Sequence, residues 1–298
     1  MGLVFTTVNM KGGVGKTTLT VNLATCLAKN HNKRVLVVDL DSQISATLSL
    51  MAPQEFAKLR KGRKTLSYLI DKVVQPHVPR KFSTPDFVCH SVSEIEGVDL
   101  LPGDIELYDE YIVSETLHKQ ALADNELNFN QVWSGFEDLL IQTILEPVVD
   151  EYDFILMDCA PGYNLLTRSG LVASDFYILP ARPEPLSLVG IQLLERRIAK
   201  LKKNHDVDGK LSLLGIVFIL SGGVFSGRYY QQVIQRVEQD FDSGFVFKNR
   251  IPMDVNVAKA VDSFTPVVLS SPGSAGSKAF FQVAQEFLEK VEASKGNS

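Results

Sequence analysis

Residues 3–18 read LVFTTVNMKGGVGKTT, and this stretch decides the fold class of the 298-residue chain. Residues 3–9 are an apolar run of the kind that forms a short buried strand, and a glycine-rich turn follows at once. Leu19, Leu23 and Leu27 then recur with a helical period. A strand, a glycine-rich turn and a helix in direct succession predict a loop that binds phosphate groups.

The turn itself, Lys11 to Thr18, has the residue types that a triphosphate requires. Glycines leave the backbone N–H groups unobstructed, and the start of the helix directs its free N–H donors at the anion. We predict that Lys16 contacts the β and γ phosphate oxygens and that the Thr17 hydroxyl ligates Mg²⁺. Met10 replaces the first glycine of the general GxxxxGK[ST] pattern, and Lys11 is an additional lysine. The predicted nucleotide-binding residues of the turn are Lys11, Gly12, Gly13, Val14, Gly15, Lys16, Thr17 and Thr18. A tight strand–helix turn with a chance GKT is the structural alternative.

Carboxylates end two further apolar runs. Asp158 closes DFILMD at 153–158, and Asp39 and Asp41 close RVLVVDLD at 34–41. Carboxylates at strand ends beside a phosphate loop are suited to hold Mg²⁺. We therefore predict a magnesium site formed by Thr17, Asp39 and Asp158. Because side chains alternate along a strand, Asp39 and Asp41 are expected on one face; the alternative for Asp41 is a cap on the following turn.

The order of apolar runs and helical patterns predicts a doubly wound, mostly parallel α/β sheet in a single domain. The predicted strands are 3–9, 33–40, 98–101, 153–157, 175–180, 213–220 and 266–269, and the predicted helices are 136–149, 187–203, 229–240 and 277–293. Residues 51–130 are less regular, and we expect helices and loops that decorate one edge. The domain is expected to span 1–293, followed by a disordered tail at 294–298.

Composition narrows the functional classes. The net charge is −5, so any nucleic-acid contact has to come from a local basic patch. The three cysteines lack a CxxC spacing, which favours buried thiols in a reducing compartment. His77, His90, His118 and His205 lack metal-ligand spacing and are expected at the surface or in loops. With no apolar run near the roughly 20 residues that cross a bilayer, we expect a soluble, cytoplasmic protein.

Five segments together resemble the ParA/MinD group of deviant Walker A ATPases, which are P-loop NTPases of the SIMIBI type. The segments are KGGVGKTT at 11–18, VVDLDSQISAT at 37–47, DFILMDCAPGYNLLT at 153–167, ILPARPEPLSLVGIQLL at 178–194 and FVFKNRIPMDVNVAKAV at 245–261. Their order and spacing agree with the family. Three positions depart from its usual pattern: Ser42 and Ala160 replace prolines, and the arginines of an IPRNVR segment are missing at 251–256.

The resemblance implies a slow ATP hydrolase, forming ADP and phosphate, that works as a homodimer enclosing two Mg–ATP. In the family, the lysine that matches Lys11 crosses to the partner's nucleotide, as an arginine finger does. The aspartate matching Asp41 orients the attacking water, the one matching Asp39 supports the metal shell, and the proline matching Pro252 lies beside the adenine. The implied catalytic residues are thus Lys11, Lys16 and Asp41.

The resemblance also implies partners. ParA relatives of the Soj type bind non-specific nucleoid DNA and segregate plasmids or chromosome regions, and McdA-type relatives position carboxysomes; a ParB-like or other adaptor stimulates hydrolysis. A membrane-associated MinD-like regulator and a metabolic P-loop enzyme are the alternatives. The acidic C-terminal helix disfavours a membrane. Each basic cluster has the alternative of a solvated helix face. The candidate DNA-binding residues are Arg196, Arg197, Lys200, Lys202, Lys203, Arg228, Arg236, Lys248, Arg250 and Lys259.

Overall fold

The computed structural model describes residues 2–74, 83–123, 128–207, 209–219 and 227–295. Across these residues one parallel sheet has the strand order β3-β2-β4-β1-β5-β6. The strands are β1 (Leu3–Thr7), β2 (Val35–Leu40), β3 (Val98–Leu101), β4 (Phe154–Cys159), β5 (Phe176–Ala181) and β6 (Ser212–Phe218). The sequence prediction of a doubly wound parallel α/β sheet is confirmed.

Helices cover both faces of the sheet. They are α1 (Lys16–His31), α2 (Ser45–Leu50), α3 (Pro53–Lys61), α4 (Leu66–Val74), α5 (Glu110–Ala123), α6 (Phe129–Leu145), α7 (Leu165–Val172), α8 (Pro185–Asn204), α9 (Gly227–Phe241), α10 (Val255–Asp262), α11 (Val267–Ser270) and α12 (Ala275–Lys295). No helix in the described part of the chain is long and apolar enough to cross a membrane.

Strand β2 shows why the sheet needs a layer on each side. Every residue of β2 is buried. Val35 and Val37 belong to the apolar cluster formed with α1 and α12, whereas Leu36 and Val38 belong to the cluster formed with α6. Because alternate side chains point to opposite faces, a continuous apolar strand is stable only between two helical layers.

The central strand β1 places the glycine-rich turn at the middle of the sheet. It pairs with β4 on one side and β5 on the other, and Thr7 lies in register with Asp158. Asp158 is in turn in register with Asp39 on β2. The strand order changes direction at β1, and in open α/β sheets ligands bind at the carboxyl edge of such a point.

One predicted strand is wrong. Residues 267–269 lie in the short helix α11, and the N–H of Ser271, which follows the helix, donates to the Val267 carbonyl. Periodicity cannot separate a strand from a helix in so short an apolar run, and Pro266, which caps α11, starts the turn. In addition, α12 continues to Lys295, so Ser294 and Lys295 are helical although both fall in the expected tail; 296–298 lie outside the described residues.

Candidate nucleotide-binding site

The loop between β1 and α1 requires its glycines for backbone and space. Gly13 has φ +70° and Gly15 has φ +90°, both in the left-handed region. A Cβ on Gly15 would lie 2.5 Å from the Ile219 Cδ1 atom. A side chain at Gly15 would therefore be strained by the backbone conformation and would have to displace the end of the Ile219 side chain.

Two neighbours fix the shape of this loop. The Asn9 side chain donates to the Pro180 carbonyl at 2.8 Å and accepts from the Lys11 backbone N–H at 2.9 Å. Gly12 faces Pro161, whose Cγ lies 3.6 Å from the position of an added Cβ. The loop is thus hydrogen-bonded to β5 through Asn9 and lies close to Pro161, in the segment that follows β4.

Lys16 begins α1 and lies inside the loop. Its side chain is buried, and Nζ donates to the Lys11 carbonyl at 3.2 Å. Burial lowers the pKa of Lys16, while the nearby Asp158 carboxylate opposes that shift. An ammonium group that is enclosed by a glycine loop and donates to a carbonyl of that loop is suited to exchange this carbonyl for phosphate oxygens.

Thr17 and Asp158 form the pair expected of a magnesium site. The Thr17 hydroxyl donates to Asp158 Oδ2 at 2.6 Å. Thr20, one turn further along α1, donates to the Thr7 hydroxyl at 2.9 Å and so fixes α1 against β1. The structure therefore brings a hydroxyl and a carboxylate oxygen together beside the phosphate loop, and both are ligand types that Mg²⁺ prefers.

Asp39 is completely buried behind this pair. Its carboxylate accepts from the Thr47 backbone N–H at 2.7 Å, the Thr47 hydroxyl at 2.8 Å and the Asp41 N–H at 3.1 Å. Burial raises the pKa of Asp39 to about 6, despite these hydrogen bonds. Burial, and then the charge of Asp39, also raise the pKa of Asp158.

Two buried carboxylates in register on neighbouring strands repel one another, and a divalent cation would relieve that repulsion. Among the described residues, no group of three or more His, Cys, Asp or Glu side chains could hold a metal ion by itself. The Thr17 hydroxyl and the Asp158 carboxylate fit Mg²⁺ that arrives with a nucleotide, whose phosphate oxygens would supply further ligands.

Asp41 lies just beyond the end of β2 and is buried. Its Oδ1 atom accepts from the Gln43 backbone N–H at 2.9 Å, which is the turn cap that the sequence left as an alternative role. The electrostatic neighbours of Lys16 include both Asp158 and Asp41. The structure thus brings Lys16, Thr17, Asp39, Asp41 and Asp158 to one edge of the sheet.

Lys11 and Pro252 lie at the border of this group. Lys11 Nζ is 2.6 Å from Glu184 Oε2, in an ion pair that is partly exposed to solvent. Pro252 follows Ile251, whose N–H donates to the Phe218 carbonyl at the end of β6. Ile219, which limits the space at Gly15, pairs with Ile251 in an isolated bridge. Pro252 is therefore within the same region as the loop.

The candidate DNA-binding cations are spread over several elements. The exposed ones are Arg196, Arg197, Lys200 and Lys203 on α8, Arg236 on α9, Lys248 after α9 and Lys259 on α10. Lys202 and Arg250 are partly buried, and Arg250 lies 3.8 Å from Glu238. Arg228 is in the first turn of α9, but its side chain lies outside the described residues.

A buried ionic network near α6 is absent from the sequence prediction. Glu137 accepts from the Arg168 Nε atom at 2.7 Å and from the Trp133 indole N–H at 2.6 Å. His205, expected at the surface, has a buried side chain that lies 3.3 Å from Glu137 and 2.5 Å from Asp138. Arg168 is 31 positions from Glu137 and His205 is 67 positions from Asp138, and no local pattern marks these contacts.

Comparison with known proteins identifies the family. A family model described as an AAA domain matches residues 3–212. The sporulation initiation inhibitor protein Soj of Bacillus subtilis is 30% identical over 287 residues, which cover 96% of this chain and 98% of that protein.

Two solved structures share the fold. A variant of McdA from Cyanothece, in complex with ATP, gives a TM-score of 0.70 at 19% identity and covers 97% of this chain and 96% of its own. The septum site-determining protein MinD from Pyrococcus horikoshii, in complex with Mg-ADP, gives 0.65 at 23% identity and covers 96% of each chain. The chain therefore belongs to the ParA/MinD family of P-loop ATPases.

Proposed function

We propose that this protein is a Mg–ATP-dependent, dimerising ATPase of the ParA type, which binds non-specific DNA and positions or segregates a cargo. One observation carries the proposal: the enclosed Lys16 ammonium group lies beside the Thr17 hydroxyl, which donates to the Asp158 carboxylate at 2.6 Å. The ATP and Mg-ADP bound to the McdA and MinD neighbours support the same ligands here.

The residues have distinct roles in the proposed hydrolysis. Lys16 and the loop N–H groups bind the β and γ phosphate oxygens and hold the γ phosphoryl group in place. Thr17 and Asp158 ligate the magnesium ion, which neutralises phosphate charge when bound, and the buried Asp39 supports that shell. Asp41, already at the end of β2, orients the attacking water.

A second copy of the chain is the proposed partner across this edge. Leu186, Val189 and Leu193 recur at helical spacing on α8 and are 75%, 51% and 48% exposed. This apolar face starts next to Glu184, which contacts Lys11 of the phosphate loop. An exposed apolar face beside the nucleotide site supports a dimer in which Lys11 contacts the partner's nucleotide.

The proposed DNA contact rests on local charge. The chain as a whole has a net charge of −5, but the exposed cations Arg196, Lys200 and Lys203 lie together on the last turns of α8. Non-specific binding to phosphate groups needs only several such contacts, and a dimer doubles them. The cargo is proposed to be a plasmid, a chromosome region or a protein organelle such as the carboxysome, with an adaptor protein that stimulates hydrolysis at the nucleoid.

The C-terminal helix argues against the alternative of a membrane-bound regulator. α12 buries its apolar face, including Phe280, Val283 and Phe287, in the core cluster with α1. Glu286 is buried as well and accepts from the Lys248 and Asn249 backbone N–H groups at 2.7 and 2.9 Å. The apolar face that α12 buries in the core is therefore not available to a lipid surface.

Two measurements test the proposed function. The Asp41→Ala variant is expected to bind Mg–ATP and dimerise but to release no phosphate above background, and normal turnover by this variant would remove Asp41 from the mechanism. For DNA, retention on a non-specific duplex should require ATP and should weaken from low to moderate salt. Retention that is equal with and without ATP would contradict the proposal and favour a metabolic P-loop enzyme.

A further inference from the structure

The ion pair between Lys11 and Glu184 joins the phosphate loop to the start of α8. Lys11 Nζ lies 2.6 Å from Glu184 Oε2, and the two side chains are 47% and 33% exposed. In the part of the chain that the structure describes, no other ion pair involves either residue. The contact is therefore specific to these two groups and accessible from outside.

Glu184 is held in place by its backbone while its carboxylate points away from its own helix. It is the residue that precedes α8, and its carbonyl accepts from the Ser187 N–H at 2.9 Å. Its N–H donates to the Arg182 carbonyl at 2.8 Å. The carboxylate makes no capping hydrogen bond to α8. A residue before a helix often uses its side chain as a cap; here that group binds Lys11 instead.

The backbone of Lys11 is equally fixed. Its N–H donates to the Asn9 side chain at 2.9 Å, and its carbonyl accepts from Lys16 Nζ at 3.2 Å. Any change in what Lys11 contacts has to come from rotation of its long side chain. At 2.6 Å the Glu184 carboxylate holds the ammonium group on its own protomer, so a contact of Lys11 with the phosphates of another protomer has to compete with this ion pair.

We infer that Glu184 is a positioning residue that holds Lys11 within its own protomer and thereby sets the nucleotide and protein concentrations at which dimers form. This inference rests on the proposed function, in which Lys11 contacts the partner's nucleotide. The ion pair opposes dimerisation until a triphosphate in the facing protomer offers Lys11 a more highly charged partner. Glu184 touches neither nucleotide and acts through Lys11 alone.

The expected effect is modest because the pair is partly exposed. Each exposed Lys–Glu pair contributes little free energy, so breaking one pair changes an equilibrium constant by a factor of about 1.5 to 5. A symmetric dimer breaks two pairs, so the dimer dissociation constant should change by roughly 2- to 30-fold. Added salt should reduce the effect, since it screens exposed charges.

The test is Glu184→Gln in the full chain, with the dimer dissociation constant measured by sedimentation in Mg²⁺ and a slowly hydrolysed ATP analogue. Glu184→Gln should dimerise 2- to 30-fold more tightly than wild type, roughly as estimated for two exposed pairs. The gain should vanish in the Lys11→Ala background, because the carboxylate acts only on Lys11. Glu115→Gln is the matched control, since it removes another exposed pair, with Lys119 at 2.8 Å on α5; it should leave the constant unchanged.

Three results would overturn the inference: unchanged dimerisation of Glu184→Gln, weaker dimerisation, or the same gain in the Lys11→Ala background. In each of these cases wild type still dimerises with the analogue, and the proposed function stands. If neither wild type nor Glu184→Gln dimerises at high protein concentration, both the inference and the proposed dimer are wrong.

Discussion

In the absence of metal, Asp158→Asn should be more stable than wild type. With Mg–ATP, the variant should be the less stable of the two proteins. Asp158 and Asp39 are both fully buried and lie in register on neighbouring strands. Burial raises the pKa of both groups, and the charge of Asp39 raises that of Asp158 further. Asparagine keeps the shape and an oxygen for Thr17 but removes one of the two charges.

The size of the effect follows from the geometry. Neighbouring strands are about 5 Å apart, and two unit charges at that distance repel by about 3 kcal/mol at an effective dielectric constant near 20. Weakening the charged hydrogen bond from Thr17 costs about 1 kcal/mol. The net gain of Asp158→Asn is then about 2 kcal/mol, or about 3 °C in the melting temperature.

The pH dependence has a definite sign. A carboxyl group with a raised pKa in the folded state favours folding while it is protonated, and that contribution is lost as the pH rises through the folded pKa. Metal-free wild type should therefore lose stability, relative to Asp158→Asn, as the pH rises from about 4, the ordinary range of a carboxyl group, through the raised folded pKa of Asp158. The gap between the two proteins should widen with pH.

The assay is urea denaturation of both proteins in EDTA at pH 5 and pH 8, and then at pH 8 with Mg–ATP. Ligand at 100 times its dissociation constant adds about 2.7 kcal/mol to a protein that binds it, so wild type should become the more stable protein there. An Asp158→Asn variant that is less stable than wild type in EDTA at pH 8, or a gap independent of pH, would refute the reasoning.

Two further predictions concern the loop and the ionic network. Gly15→Ala should lose nucleotide affinity in calorimetry and about 1–2 kcal/mol of stability in urea, because φ is +90° there. The control is Gly135→Ala in α6, where no atom lies near the added Cβ, and this variant should be neutral or stabilising. Equal losses in the two variants would contradict the prediction. Glu137→Ala leaves Arg168 without its carboxylate partner and should cost about 3 kcal/mol in the free energy of unfolding, whereas Glu115→Ala should cost under about 1 kcal/mol. A change below 1 kcal/mol for Glu137→Ala would show that the network contributes little.

The parts of the site that sequence could predict are those with a local cause. The glycines at 13 and 15 have positive φ because the turn between β1 and α1 requires it, so the loop is visible in the sequence. Asp158 is predictable because a parallel strand delivers the residues at its carboxyl end to the same edge as the loop. In both cases neighbouring residues carry the information.

What the sequence left open depends on contacts between distant segments. Glu184 is 173 positions from Lys11, and its ion pair exists only because β1 and β5 are adjacent. His205 lacks any local sign of burial, yet it packs between α6 and α8 beside Glu137. The apolar run at 266–269 fits a strand as well as a helix by sequence, and its packing on α1 and α12 decides for the helix α11.

The most direct test of the account is calorimetric titration of Mg–ATP into wild type and into Lys16→Ala. Lys16 is buried within the loop, and its ammonium group is the predicted contact to the β and γ phosphates. Wild type should show a saturable heat of association that requires Mg²⁺, and Lys16→Ala should show none. Equal heats for both proteins, or no heat for wild type, would contradict the claim that this loop binds the nucleotide.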